Sequence, residues 1–264
     1  MNRVHTLFDH LWQNYTSRLC PSAAKVHALL EEGHPLQNDH IALRTFNLPK
    51  TGLDRMAAPF IALGYEPKGE YYFEGKKLYA RHFELPGEEA PKVFISELMV
   101  GRCSSELQLA VRNMVDQLDD SALDDHAFLY SGRPWQLDFE TYQALSKESE
   151  YAGWLAAHGF GANHFTVNVN QLSTFEEVKQ VNDALREAGF AINMSGGEVK
   201  GSPDVRLEQS STMADKVSVT FSDGNQQIPG GFYEFAKRYP LPDGTLYQGF
   251  VEASADKIFE STDS

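Results

Sequence analysis

The chain has 264 residues, enough for one large domain or two small ones. Apolar residues make up 42% and charged residues 23%, the balance of a globule able to bury a sizeable core. Its 23 Lys and Arg stand against 37 Asp and Glu, a formal charge of −14. That argues against nucleic acid and anionic membrane as partners, and any acid-binding site must carry its own buried cations.

No stretch approaches the roughly 20 consecutive apolar residues of a membrane span. The N-terminal segment starts an amphipathic helix at Met1, with no uninterrupted apolar core of signal-peptide type. The two cysteines, Cys20 and Cys103, form no metal or redox motif, and isolated thiols fit a reducing compartment. A cytoplasmic protein is expected.

In chain order, residues 3–33 read as two helices. Leu7, Leu11 and Tyr15 make one stripe; after Pro21, a favourable first helical residue, Val26, Leu29 and Leu30 make another, ended by Gly33. A strand is expected over His40–Phe46, then a helix over 51–63 with Pro59 as a possible kink and Gly64 as its stop. Strands follow over Tyr71–Phe73, Leu78–Phe83 and Val93–Leu98, with turn signals between them. Residues 38–100 thus form a β-α-β-β-β module. Residues 101–160 read as a helical insert whose role the sequence leaves open, its His126 and His158 structural.

A second module spans 161–240. Its strand starts at His164, and its helix runs over Thr174–Ala188, with Thr174 as N-cap and Glu177 completing a capping box. Strands are expected near Gly197–Lys200, Val205–Thr212, Val217–Phe221 and Gly231–Ala236. Residues 241–264 form an acidic, serine-rich tail expected to fray. No flexible linker separates the modules. The fold class is therefore α+β: a single domain, 1–264, of two pseudo-equivalent modules whose sheets curve around a central cavity. Extra helices lie at the N-terminus (1–37) and in the insert.

The modules repeat a motif. Asn38-Asp39-His40-Ile41-Ala42-Leu43-Arg44 is echoed by Ala162-Asn163-His164-Phe165-Thr166-Val167-Asn168. Each module closes on a strand carrying a glutamate among apolar residues, Glu97 in the first and Glu234 in the second. Strand parity puts His40 and Arg44 on one face, so a cavity reached by one is reached by the other. Arginine brings a permanent charge and a fork that matches a carboxylate. His40, His164 and Glu234 make up a 2-His-1-carboxylate set, which leaves up to three positions on an octahedral metal, as non-haem Fe(II) oxygenases require. The same set fits Mn, Co, Ni or Zn.

Each residue also has an ordinary reading. A lone strand histidine is more often hydrogen-bonded than a ligand, a margin that the repeat at His164 narrows. A buried Glu234 is costly unless it binds metal or pairs with Lys237, Arg238 or Arg44. Glu97 lies 97 − 40 = 57 residues after its histidine, against 234 − 164 = 70 for Glu234. It reads as a fourth ligand, an acceptor for an imidazole N–H or an ion-paired strand residue, the last two preferred. His82 either lines the cavity or is a half-buried strand histidine. Gln209-Ser210-Ser211-Thr212 presents polar groups either to substrate or, from an edge strand, to water. Ile228-Pro229-Gly230-Gly231 signals close backbone packing before the Glu234 strand. No phosphate loop or nucleophile elbow occurs.

Paired β-α-β-β-β modules with His on the first strand and Glu on the last resemble the vicinal oxygen chelate superfamily, which includes glyoxalases and extradiol dioxygenases. More closely, Asn38–Arg44, Phe94–Leu98, Gln209–Thr212 and Ile228–Phe235 resemble the 2-oxoadipate dioxygenase/decarboxylase (D-2-hydroxyglutarate synthase) family, from about Leu7 to Pro240. The resemblance implies an Fe(II) enzyme that makes 2-hydroxyglutarate from 2-oxoadipate and dioxygen. It places the metal ligands at His40, His164 and Glu234 and the substrate-carboxylate arginine at Arg44. Characterised members are longer after the part matching Glu234, which leaves the substrate open. Two other readings remain. One is a redox-inactive glyoxalase-like lyase or isomerase, with Zn or Ni polarising an enediolate and Glu97 or Glu234 as base. The other is a non-catalytic small-molecule binding protein on the same scaffold. The oligomeric state is not fixed.

Overall fold

The computed structural model describes residues 3–31, 33 and 35–262, so the expected helix start at Met1 and the last two residues of the tail lie outside the described residues. Helix α1 (Arg3–Asn14) buries Val4, Leu7, Phe8 and Leu11, and α2 (Ala23–Leu30) buries Ala23, Val26 and Leu30. The first stripe faces the core as its spacing predicts; of the second, Val26 and Leu30 do, whereas Leu29 is exposed.

The first module is β1 (Asn38–Phe46), α3 (Leu53–Ala62), β2 (Glu66–Phe73), β3 (Leu78–Glu84) and β4 (Lys92–Leu98). Pro59 sits inside α3 without ending it. The insert folds into α4 (Ser105–Val115), α5 (Phe139–Glu148) and α6 (Glu150–His158). Every α6 residue after Glu150 is buried, so this helix is a core element. The second module opens with β5 (Ala162–Asn168) and α7 (Val178–Glu187) and continues with β6 (Lys200–Ser202) and β7 (Leu207–Ser211). After β8 (Lys216–Phe221) and β9 (Gly224–Pro229) it closes with β10 (Phe232–Arg238).

Eight strands form one mixed sheet in the order β2-β3-β4-β1-β5-β10-β7-β6. In each module the first and last strands pair in parallel, β1 with β4 and β5 with β10. The two first strands meet antiparallel at the centre, with His40 opposite Thr166 and Ala42 opposite His164. Both histidine strands are therefore neighbours, and both are buried on their two faces along nearly their whole length.

Three local expectations are corrected. Helix α7 begins at Val178, not Thr174: Glu177 is itself the N-cap, in a capping box with Gln180, whose side chain accepts from the Glu177 N–H at 2.9 Å. The expected strand at Val217–Phe221 is β8, but it pairs with β9 in a separate hairpin outside the main sheet. As far as Thr262 the tail is folded, not frayed. It forms α8 (Glu252–Phe259) and a turn over Glu260–Thr262, and it packs against β2 at one sheet edge and β6 and β7 at the other, closing the open side of the curl. Its apolar Phe250, Ile258 and Phe259, all buried, drive that docking.

Candidate metal centre

His40, His164 and Glu234 are each buried, and each offers a ligand atom within 4.8 Å of the others. Sheet register explains the convergence. His40 and His164 sit diagonally on adjacent strands, and Glu234 pairs with Thr166, two residues beyond His164. All three share the concave face.

Each imidazole is held by the residue before it. His40 Nδ1–H donates to Asp39 Oδ1 at 2.8 Å, and His164 Nδ1–H donates to Asn163 Oδ1 at 3.0 Å. The acceptors fix both tautomers, so each Nε2 carries the lone pair. Asp39 is gripped by Arg238, whose Nε and Nη2 donate to its two oxygens at 2.7 and 2.8 Å. Burial alone would raise the Asp39 carboxyl, but the Arg238 guanidinium holds it well below the usual range. The His164 ring stacks on Phe232 with centroids 4.6 Å apart.

His40 Nε2 lies 3.1 Å from the Thr166 hydroxyl and 3.5 Å from Glu234 Oε1. Gln209 Nε2 donates to Glu234 Oε1 at 2.6 Å. The other carboxylate oxygen, Oε2, lies 3.1 Å from His164 Nε2, yet it has no aligned hydrogen-bond donor. Burial pushes the Glu234 carboxyl up, and the neighbouring His40 and His164 with the Gln209 amide bring it below its ordinary value. Burial also lowers the His164 imidazolium, leaving its lone pair available at neutral pH. A buried carboxylate with an orphaned oxygen, facing two Nε2 lone pairs whose Nδ1 ends are anchored, is a donor set that fits a divalent cation.

Arg44 shares the His40 face, as parity requires, and adds to the field that lowers His164. Its guanidinium lies 4.9 Å from the ring centroids of both Tyr151 and Trp154. Nη1 donates to Glu150 at 3.2 Å and Nη2 to the Thr262 hydroxyl at 3.1 Å. The insert therefore reaches this residue: α6 supplies Glu150, Tyr151 and Trp154 around Arg44.

Glu97 does not belong to the site. Phe232 pairs with His164 and Lys92 with His40, so the residue matching Glu234 (two beyond Phe232) is Phe94 (two beyond Lys92). Glu97 is an odd number of residues further on and faces the opposite side of the sheet, where its Oε2 accepts from the Leu53 N–H at 2.7 Å and caps α3. His82 is on the concave face, but both ring nitrogens are engaged, Nδ1 with the Tyr71 hydroxyl at 2.8 Å and Nε2 with Glu84 at 2.9 Å. It packs on Phe250, which covers His40 at 4.8 Å.

Gln209-Ser210-Ser211-Thr212 is wholly buried, so its solvated-edge reading is corrected; β6 covers β7. Ser211 meets Ser261 of the tail at 2.8 Å. At Gly230 an added Cβ would lie 2.2 Å from the Leu19 carbonyl oxygen, which confirms close backbone packing before β10. His158 is structural as expected: burial drives it down to about 3, and its Nε2 meets the Pro229 carbonyl at 2.8 Å. His126 is exposed beside Asp125.

Sequence reasoning missed Asp39 and Asn163 as anchors, although both stand inside the repeated motif. Arg238 was weighed as a partner of Glu234, whereas it pairs with Asp39. Glu150, Phe250 and Thr262 left no local signal. Lys200 was also missed. It lies opposite Gln209 on the concave face, donates to the Asn193 carbonyl, and is pushed by burial down to about 8.

A family model described as 2-oxoadipate dioxygenase/decarboxylase matches residues 2–246. The chain is 37% identical over 252 residues to the chloroplastic 2-oxoadipate dioxygenase/decarboxylase of Arabidopsis thaliana, covering 85% of this chain and 67% of that protein. The crystal structure of the hydroxyglutarate synthase from Oryza sativa in complex with 2-oxoadipate superposes with a TM-score of 0.92 at 33% identity, over 97% of this chain and 91% of that one. A structure from Shewanella frigidimarina NCIMB 400, named only as a candidate hydrolase, also gives 0.92, at 56% identity over 96% and 99% of the two chains. The fold extends to a glyoxalase superfamily protein from Ralstonia eutropha JMP134, with a TM-score of 0.73 at 22% identity over 92% and 84%. The match covers 67% of the Arabidopsis protein and 78% of the curated rice protein, so these relatives are longer than this chain, as expected, while the crystallised rice chain is covered to 91%. The chain belongs to the 2-oxoadipate dioxygenase/decarboxylase family, a family of enzymes.

Proposed function

We propose that this protein is an Fe(II)-dependent dioxygenase/decarboxylase acting on 2-oxoadipate or a closely similar 2-oxo dicarboxylate. With 2-oxoadipate and dioxygen the products are 2-hydroxyglutarate and carbon dioxide, which balances all carbon, hydrogen and oxygen atoms. The observation that carries this reading is the buried convergence of His40, His164 and Glu234 within 4.8 Å. Those three residues would hold the iron, which supplies the oxidising chemistry when bound.

The protein's own part is placement. Asp39, clamped by Arg238, and Asn163 fix the two imidazoles, so both lone pairs face one point. Gln209 occupies one oxygen of Glu234 and leaves the other for coordination. Arg44 pairs with the remote carboxylate of the substrate and sets its orientation, the entropic part of catalysis. Phe94, Phe232 and Phe250 surround the centre and exclude water. The cytoplasmic assignment rests on Cys20 and Cys103, both free. No helix among the described residues is long and apolar enough to cross a membrane.

The test is anaerobic reconstitution with Fe(II), followed by oxygen uptake and carbon dioxide release on a panel of 2-oxo acids. Bound Zn or Ni with no oxygen uptake would instead support the glyoxalase-like reading. In Arg44→Ala the KM for dicarboxylates should rise about 10- to 100-fold, the loss of a charged hydrogen-bonded pair, with metal content unchanged. Metal loss in that variant would remove Arg44 from the substrate role.

A further inference from the structure

We propose that Glu150 is an internal competitor of the substrate for Arg44, and that the small cavity beside it is the route by which a dicarboxylate reaches that guanidinium. This rests on the reading of Arg44 as the residue that binds the remote carboxylate.

The Arg44 side chain is 1% exposed, and that of its carboxylate partner Glu150 is 31% exposed. The pair is poorly matched. Both Glu150 oxygens approach the same nitrogen, Nη1, at 3.2 and 3.5 Å, instead of filling a two-nitrogen fork. Nη2 is used by Thr262, and Nε is buried without a partner. Aromatic rings of Tyr151, Trp154 and Phe259 flank the guanidinium. A buried guanidinium left under-satisfied is costly, and a substrate carboxylate supplies the missing fork.

Glu150 also lines a cavity of about 150 Å³ with Lys76, Lys77, Glu148, Tyr151 and Phe259. Its lining therefore holds three of the groups around Arg44, namely Glu150, Tyr151 and Phe259. Its lining balances Lys76 and Lys77 against Glu148 and Glu150, so this approach is locally neutral in a chain of net charge −14. Lys77 reaches Glu148 of α5 at 3.6 Å, and Lys76 reaches Asp256 and Glu260 of the tail at 3.7 and 3.8 Å. Ion pairs at this range and exposure exchange readily with an incoming anion. Glu150 is the first residue of α6, whose N-cap Ser149 accepts from the Ala152 N–H, so its side chain can swing aside with the helix end kept. A larger groove of about 460 Å³, lined by Leu7, Pro59 and His126, touches none of these residues.

A half-exposed ion pair is weak, so the competition should raise the KM for a dicarboxylate only about 2- to 5-fold. The experiment measures oxygen uptake by the Fe(II)-loaded wild type, Glu150→Gln and Glu150→Asp. The substrates are 2-oxoadipate and 2-oxohexanoate, which lacks the remote carboxylate; adipate serves as an inhibitor. Glu150→Gln should lower the KM for 2-oxoadipate by that factor, tighten inhibition by adipate equally, and leave kcat and the KM for 2-oxohexanoate unchanged. Glu150→Asp, a shorter carboxylate, should fall between, and it carries the test if the Gln variant melts well below wild type. An unchanged or higher KM for 2-oxoadipate, at wild-type metal content and melting temperature, overturns the proposal and makes Glu150 a fixed support for Arg44. Absence of oxygen uptake by wild type on every 2-oxo acid sinks the activity reading instead. In that case calorimetric binding of adipate to wild type and Glu150→Gln still decides the competition.

Discussion

In the first module the residue before the histidine is Asp39, locked to Arg238 of the other module; in the second it is Asn163, a neutral amide with no such partner. The frames match strand for strand, yet the inward positions differ. Where the second module has Glu234, the first has Phe94, and where the first has Arg44, the second has Asn168, which caps a turn through the Asn170 N–H at 3.1 Å. A symmetric pair would offer two histidines and two carboxylates and crowd a metal. Phenylalanine in place of a second carboxylate keeps positions open, and placing Arg44 on the other module gives the cavity a direction. The two halves thus divide the proposed work: the second contributes most of the proposed ligand set, and the first contributes Arg44, the proposed group for the substrate.

The sharpest way to break this comparison is at its asymmetric pair. Glu234→Ala should abolish metal binding and oxygen uptake, whereas Phe94→Leu should keep the metal, as read by elemental analysis; equal loss in both would end the claim of divided roles. Next come the two anchors. Asp39→Asn strands the buried Arg238 charge and should cost about 3–5 kcal/mol in denaturant unfolding, with metal affinity down about 10- to 100-fold. Asn163→Ala, which loses a neutral hydrogen bond, should cost about 1 kcal/mol. The pH dependence sharpens the contrast. The Asp39 carboxyl is held below its unfolded value, so its contribution is present above about pH 4 and is lost as pH falls further. Wild type and Asp39→Asn should therefore converge in acid. The smallest effect is expected at Glu97→Gln, a weakened cap on α3 worth about 1 kcal/mol, with metal content and turnover unchanged.

Glu97 also marks where reading a chain stops. The repeat around His40 and His164, the helical stripes and the alternation along β1 and β5 are local patterns, and the structure reproduces them because a side chain's face on a strand depends only on parity. The three proposed ligands were found that way. Glu97 was matched to Glu234 by its place in an apolar run, but strand equivalence is a matter of register. A displacement by an odd number of residues turns a side chain to the other face.

By itself, the order of residues determined the two modules, the histidine strands and the face that Arg44 shares with His40, since each follows from a period of two or of 3.6. Only the tertiary structure decided that Arg238 reaches back across the sheet to Asp39, that α6 and the C-terminal turn enclose Arg44, and that the hairpin β8–β9 leaves the main sheet. Those contacts join residues as far as 218 positions apart. Which of many apolar or charged segments meets which is set by the competition to bury surface and pair charge in the folded whole, and no local pattern records its outcome.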